Sequence, residues 1–101
     1  MIVSEMGTKG AGDQVVRVGK NAKVSVVAER IASQVREQGF IEMETVGEGA
    51  VNQAVKAAAM ARRQLEPEGY SLVIIPAVVE VPLGHGSHTV VHLTVVDWHG
   101  G

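Results

Sequence analysis

Two short stretches carry the residues best suited to chemistry. In GKNAKVS (Gly19–Ser25), Lys20 and Lys23 flank Asn21. Those three polar groups can contact phosphates without reading bases. In VGEGAVNQAVKAAAMARRQ (Val46–Gln64), Gly47 and Gly49 lead into an alanine-rich helix that carries Asn52, Gln53 and Lys56 in its first turns. The N–H groups of a helix start are a favourable place for an anionic oxygen. Each stretch also has a plain structural reading. Two lysines in a loop are usually solvated, and glycines before a helix commonly serve positive φ and close packing. GEGAVN begins like a dinucleotide fingerprint, but Asn52 stands where the third glycine belongs and no acidic residue follows at the required place. A P-loop would need a Gly-Lys-Ser/Thr ending, which is absent.

The hairpin histidines His85, His88 and His92 invite a metal hypothesis that geometry weakens. On a straight strand His88 and His92 share a face but lie about 13 Å apart at ~3.3 Å per residue. Two ligands of one zinc are separated by only ~4 Å. Surface histidines are the simpler case, and neither a metal nor any other cofactor is expected. Ser25, Ser33, Ser71 and Ser87 lie in no nucleophile-elbow context. Glu42 and Glu44 share a strand face with no pocket residues beside them, so no catalytic constellation emerges and the chain reads as a non-enzyme.

The elements that must position these residues follow from periodicity. Residues 1–13 mix Gly, Ser, Thr and charge without period and read as a flexible tail, leaving 14–99 as a single domain. QVVRVG (Gln14–Gly19) suits a first strand. Val27, Ala28, Ile31, Ala32 and Val35 form one helical stripe, with Ser25 as N-cap and Gly39 as the stop. In FIEMETVG, Ile41, Met43 and Thr45 alternate against Glu42, Glu44 and Val46, as in a strand with one mostly acidic face. The second helix places Val51, Ala54, Val55, Ala58 and Leu65 inward, leaves its other alanines as a smooth flank, and ends at Pro67. YSLVIIPAVVEV is nearly continuous in apolar residues and fits a central strand buried on both faces, with a bulge or edge stretch at Pro76. PLGHGS turns the chain into the returning strand HTVVHLTVVD. The order is β-α-β-α-β-β, with helices on one sheet face and the other left available. In two consecutive β-α units both loops emerge at the carboxyl ends of their strands. If those strands are neighbours, Lys20, Lys23, Lys56 and the Asn52 helix start share one polar, cationic edge.

Composition sets the outer bounds. The 101 residues make one small domain. With 46% hydrophobic residues but only 3% aromatic, its core must be built from small aliphatic side chains. Such a core buries little area per residue, which favours association with further copies. No Cys is present, so disulfides and thiolate chemistry are excluded. No leader-like segment or membrane-spanning run is evident, and a soluble cytoplasmic protein is expected. The net charge of −2 is unevenly distributed: every Lys and Arg lies between Lys9 and Arg63. A nucleic-acid footprint must therefore come from the first two thirds of the chain.

With these segments in hand, KVSVVAERIASQVREQG, ETVGEGAVNQAVKAAAMARRQL and GYSLVIIPAVVEV resemble the stage V sporulation protein S family over roughly Val15 to Asp97. The run GAVNQAVKA, an AR pair and IPA are the specific part. That family in turn resembles the Alba-like superfamily of small nucleic-acid-binding proteins. The resemblance implies an α/β (α+β two-layer) fold, with a mixed four-stranded sheet and two helices on one face. It also implies a dimer, a sporulation or developmental role, and DNA or RNA as ligand; because few phosphate contacts per subunit bind weakly, a homo-dimer or tetramer is expected, with no membrane partner. Carried over, the loop lysines correspond to Lys20 and Lys23 and the helix start to Gly49, Ala50, Val51, Asn52 and Gln53; with Asn21 and Lys56 from the polar edge, the candidate nucleic-acid contacts are Lys20, Asn21, Lys23, Gly49, Asn52, Gln53 and Lys56. Two features depart from the Alba pattern: Glu48 stands where a basic residue is common, and the hairpin has no Lys or Arg. An interaction or self-assembly module without nucleic-acid binding is the alternative.

Overall fold

The computed structural model describes residues 2–3 and 15–100. In chain order the elements are β1 (Ile2–Val3), β2 (Val15–Val18), α1 (Val24–Gln38), β3 (Phe40–Thr45), α2 (Glu48–Leu65), a 3-10 turn (Glu66–Glu68), β4 (Leu72–Leu83) and β5 (Gly86–Asp97). The sheet order is β1-β2-β3-β5-β4, parallel only between β2 and β3. The four strands β2 to β5 and the two helices give the β-α-β-α-β-β arrangement that periodicity predicts. The expected tail falls mostly outside the described residues, but Ile2 and Val3 within it pair antiparallel with Arg17 and Val16.

Alternation explains which sheet face is covered. Val16 and Val18 of β2, Ile41, Met43 and Thr45 of β3, and Leu93 and Val95 of β5 are all buried. They meet Val27, Ala28, Ile31, Ala32 and Val35 of α1, the stripe expected from spacing. Gly39 closes α1 in the left-handed region at φ 89°, its N–H donating to the Val35 carbonyl at 2.8 Å. The start of α1 corrects the expectation at Ser25. Lys23 is the N-cap, with extended backbone and no side-chain cap bond, and Ser25 lies exposed inside the first turn. The reason is local: Ala22 N–H donates to the Gly19 carbonyl at 3.1 Å, which closes the preceding turn early.

In α2 the inward face is alanine: Ala50, Ala54, Ala57, Ala58 and Ala61 are buried, together with Leu65. The expected Val51 is only half-buried and Val55 is 41% exposed. A methyl on the inner face allows α2 to approach both α1 and the sheet, which a valine stripe would prevent. The expected smooth alanine flank is thus largely the packed face itself.

The largest correction concerns β4, which lies on the sheet edge rather than in its centre. Only Leu72 among its described side chains is buried. The register runs unbroken through Pro76↔Leu93 and Pro82↔Ser87, so there is no bulge. A proline fits an edge strand where its nitrogen faces away from the ladder. The two prolines are an even number of residues apart and therefore each remove one donor from the same outer edge. β3 pairs with β5 only from Val91 to Val96, so the rest of the hairpin projects as a two-stranded arm.

Candidate nucleic-acid interface

Because β2 and β3 are parallel neighbours, the loops after each emerge side by side. The loop after β2 holds Lys20, Asn21 and Lys23, all exposed, and the turn after β3 holds Gly47 and leads into α2. Their junction is tight. A Cβ placed on Gly49 would lie 3.0 Å from the Cβ of Lys20, closer than side chains normally approach. Glycine at position 49 therefore lets the lysine loop lie against the first turn of α2. Gln53, one turn on, donates its Nε2 hydrogen to the Ala22 carbonyl at 2.8 Å. The expected ligand Gln53 is thus a brace that holds the loop to the helix.

Gly47 caps α2 at φ 90° with no side-chain cap bond. The first-turn N–H groups are therefore not closed by a capping side chain, and the helix dipole favours negative charge there. Glu48 sits in that first turn. It stabilises the helix by the same dipole and opposes a bound anion. Lys56 is exposed on the outer side of α2. Asn52 belongs elsewhere: with Glu48, Val51, Val55, Thr89 and Val91 it lines a groove of about 600 Å³ between α2 and the hairpin. Lys20, Asn21, Gly49 and Gln53 are thus brought together, while Asn52 faces the arm.

Sequence reasoning missed a second feature of this end. On the uncovered sheet face Arg17 and Glu44 are register partners, and Arg17 Nε donates to Glu44 Oε1 at 2.8 Å. Beside them a recess of about 500 Å³ is lined by Val18, Gly19, Lys20, Asn21, Ala22 and Val46 as well as this ion pair. Val46 is 52% exposed there. The outward positions of Arg17 and Glu44 are visible in the alternation, but their contact requires the β2–β3 register.

The opposite end is built differently. Arg36 binds Glu68 in bidentate fashion, Nε to Oε1 at 2.9 Å and Nη2 to Oε2 at 2.6 Å. That hydrogen bonding holds the Glu68 carboxyl below its ordinary value and raises the Arg36 guanidinium. Among the described residues no group of three or more His, Cys, Asp or Glu is placed to hold a metal ion. Nor, among those residues, is any helix long and apolar enough to cross a membrane.

A model of the stage V sporulation protein S (SpoVS) family matches residues 14–98. This chain belongs to the stage V sporulation protein S family. Membership supports a sporulation-related regulatory role. Among solved structures this SpoVS chain is similar to Alba from Thermoplasma volcanium at 19% identity and a TM-score of 0.54. That match covers 81% of this chain and 98% of the other. At such identity the likeness concerns the fold, and it bears out the Alba-like arrangement of sheet and helices for this SpoVS protein.

Proposed function

We propose that this chain is a non-enzymatic regulatory protein that binds DNA or RNA weakly at the edge formed by the first β-α loop and the start of α2. The observation that supports this best is the junction of Lys20 with Gly49, which puts a cationic loop against a helix start without a side-chain cap. Lys20, Lys23 and Lys56 would contact backbone phosphates, Asn21 would support them, and Gln53 would hold the loop in place. About three phosphate contacts per subunit give low affinity that falls with salt at a slope near −0.9 per contact on duplex DNA. The test is binding of labelled single-stranded and duplex DNA and RNA at low and moderate salt, with Lys20→Glu/Lys23→Glu beside the parent. Salt-sensitive binding that the double variant loses supports this reading, and no binding at low salt removes it.

Self-association is a second reading with its own observation. Val78 and Val79 on the arm are 69% and 44% exposed, and apolar grooves run between α2 and the hairpin. Exposed apolar surface of this kind marks interaction sites. A homo-dimer or tetramer covering it would also present several cationic edges at once and strengthen weak binding by multivalency. Without nucleic-acid binding, such assembly would be the whole function.

A further inference from the structure

The recess beside the Lys20 loop has a chemistry unlike that of the loop itself. Its one arginine is already neutralised, since Arg17 Nε lies 2.8 Å from Glu44 Oε1. A phosphate gains little from a guanidinium so engaged and is repelled by the carboxylate. Beside Lys20 and Asn21 the rest of the wall is apolar: Val18 and Ala22 are buried behind it, and Val46, half-exposed, lines it. At about 500 Å³ the space falls within the range that accepts a small organic ligand. A planar, uncharged ring with polar edges suits these walls. The ion pair restrains the guanidinium plane, which stacks on flat π systems. The Asn21 amide offers both a donor and an acceptor to a ring edge. Lys20 lines the recess and also packs against Gly49, so the ring site and the phosphate edge adjoin.

We propose that this recess receives one unpaired nucleobase of a single-stranded nucleic acid, with a neighbouring phosphate held by the Lys20 loop. Arg17 and Val46 contact the faces of the base, and Asn21 contacts its edge. A paired base in a duplex presents no free face to such a recess, so the protein prefers single strands. The chain's Phe, Tyr and Trp lie at the far end: Phe40 opens β3, Tyr70 precedes β4 and Trp98 follows β5. His92 is the register partner of Glu44 but does not line the recess, so stacking inside it falls to arginine and aliphatic surface. The proposal rests on the nucleic-acid reading above.

The test measures anisotropy of a labelled short single strand, of the same strand with every base removed, and of the corresponding duplex, all at one salt concentration. The intact protein is expected to bind the base-bearing strand at least about fivefold more tightly than the abasic one, the lower end of what stacking supplies. Arg17→Lys keeps the charge but loses the planar fork, and Val46→Ser removes apolar surface. Each brings that ratio towards one and leaves abasic binding unchanged, with the far-ultraviolet dichroism of the parent. Val46 methyl resonances shift with the base-bearing strand and not with the abasic strand. Equal binding of the two strands, or a Val46 shift of the same size with both, overturns the recess and leaves the phosphate edge standing. No binding of any strand, or binding indifferent to Lys20→Glu/Lys23→Glu, overturns both.

Discussion

The loop end and the hairpin arm are two projections of one sheet with opposite chemistry. At the loop end the loop that carries Lys20 and Lys23 lies against a helix start, and short polar contacts, Gln53 to Ala22 and Arg17 to Glu44, hold the parts together. From Val79 to Val90 the arm has no Lys or Arg. Its one acid, Glu80, accepts from Ser87 Oγ and Thr89 Oγ1, each at 3.0 Å, across the ribbon. What the arm offers a partner is valine. Contacts at the loop end should therefore weaken with salt, whereas those at the arm should not. The contrast separates ligand binding from assembly within a single small domain.

The greatest expected effect is at the arm. Val78→Glu places an unpaired charge on a surface that association would desolvate, which costs several kcal/mol. Sedimentation should show a smaller assembly than for the parent at the same concentration, while Lys20→Glu/Lys23→Glu leaves the mass unchanged. An unchanged mass for the valine variant would break the comparison. Next, Lys20→Glu/Lys23→Glu should lower nucleic-acid affinity by at least about tenfold at low salt, through loss of phosphate contacts and added repulsion. Arm variants, assayed above any dissociation concentration, should keep the salt slope per subunit.

A smaller effect sharpens the loop end alone. Gly49→Val drives a branched side chain into Lys20 Cβ, which already lies 3.0 Å from a single added Cβ. The loop must shift, and affinity should drop several-fold with only about 1–3 kcal/mol lost in urea denaturation, the usual cost of overpacking. The least effect is expected at Arg36 and Glu68, remote from both regions. The Glu68 carboxyl is held below its ordinary value chiefly by its hydrogen bonds from Arg36. Its contribution to stability is therefore present above the pH at which an unfolded glutamate titrates, and is lost as pH falls through the lower folded value. Both groups are solvent-exposed, so salt screens the pair. Arg36→Ala should remove a small acid-side slope in stability and leave binding and assembly untouched.

Much of this was legible in order along the chain. The α1 stripe, the alternation of Ile41, Met43 and Thr45, and the stop at Gly39 follow from periods of 3.6 and 2 and from glycine's access to positive φ. These are local properties, fixed by a residue and its near neighbours. The candidate loop residues could be named for the same reason, since two successive β-α units must present their loops at one end. By contrast, β4 read as a central strand because its apolar residues are continuous. A single sequence shows that a segment is apolar but not whether this chain or another surface covers it. The inward face of α2 differs from the expected one for a related reason: valine outranks alanine in hydrophobicity, yet closeness of approach decides which face packs.

The sequence by itself determined the elements, their order and the uneven placement of charge, because each depends on residue type and short-range spacing. Tertiary structure alone decided that β4 is an edge, that Lys20 touches Gly49, that Gln53 is a brace, and that Arg17, Glu44 and Val46 enclose a recess. Those contacts join residues about 25 or more positions apart. Strand order and register bring them together, and both are chosen by the packing of the whole core rather than by any local stretch.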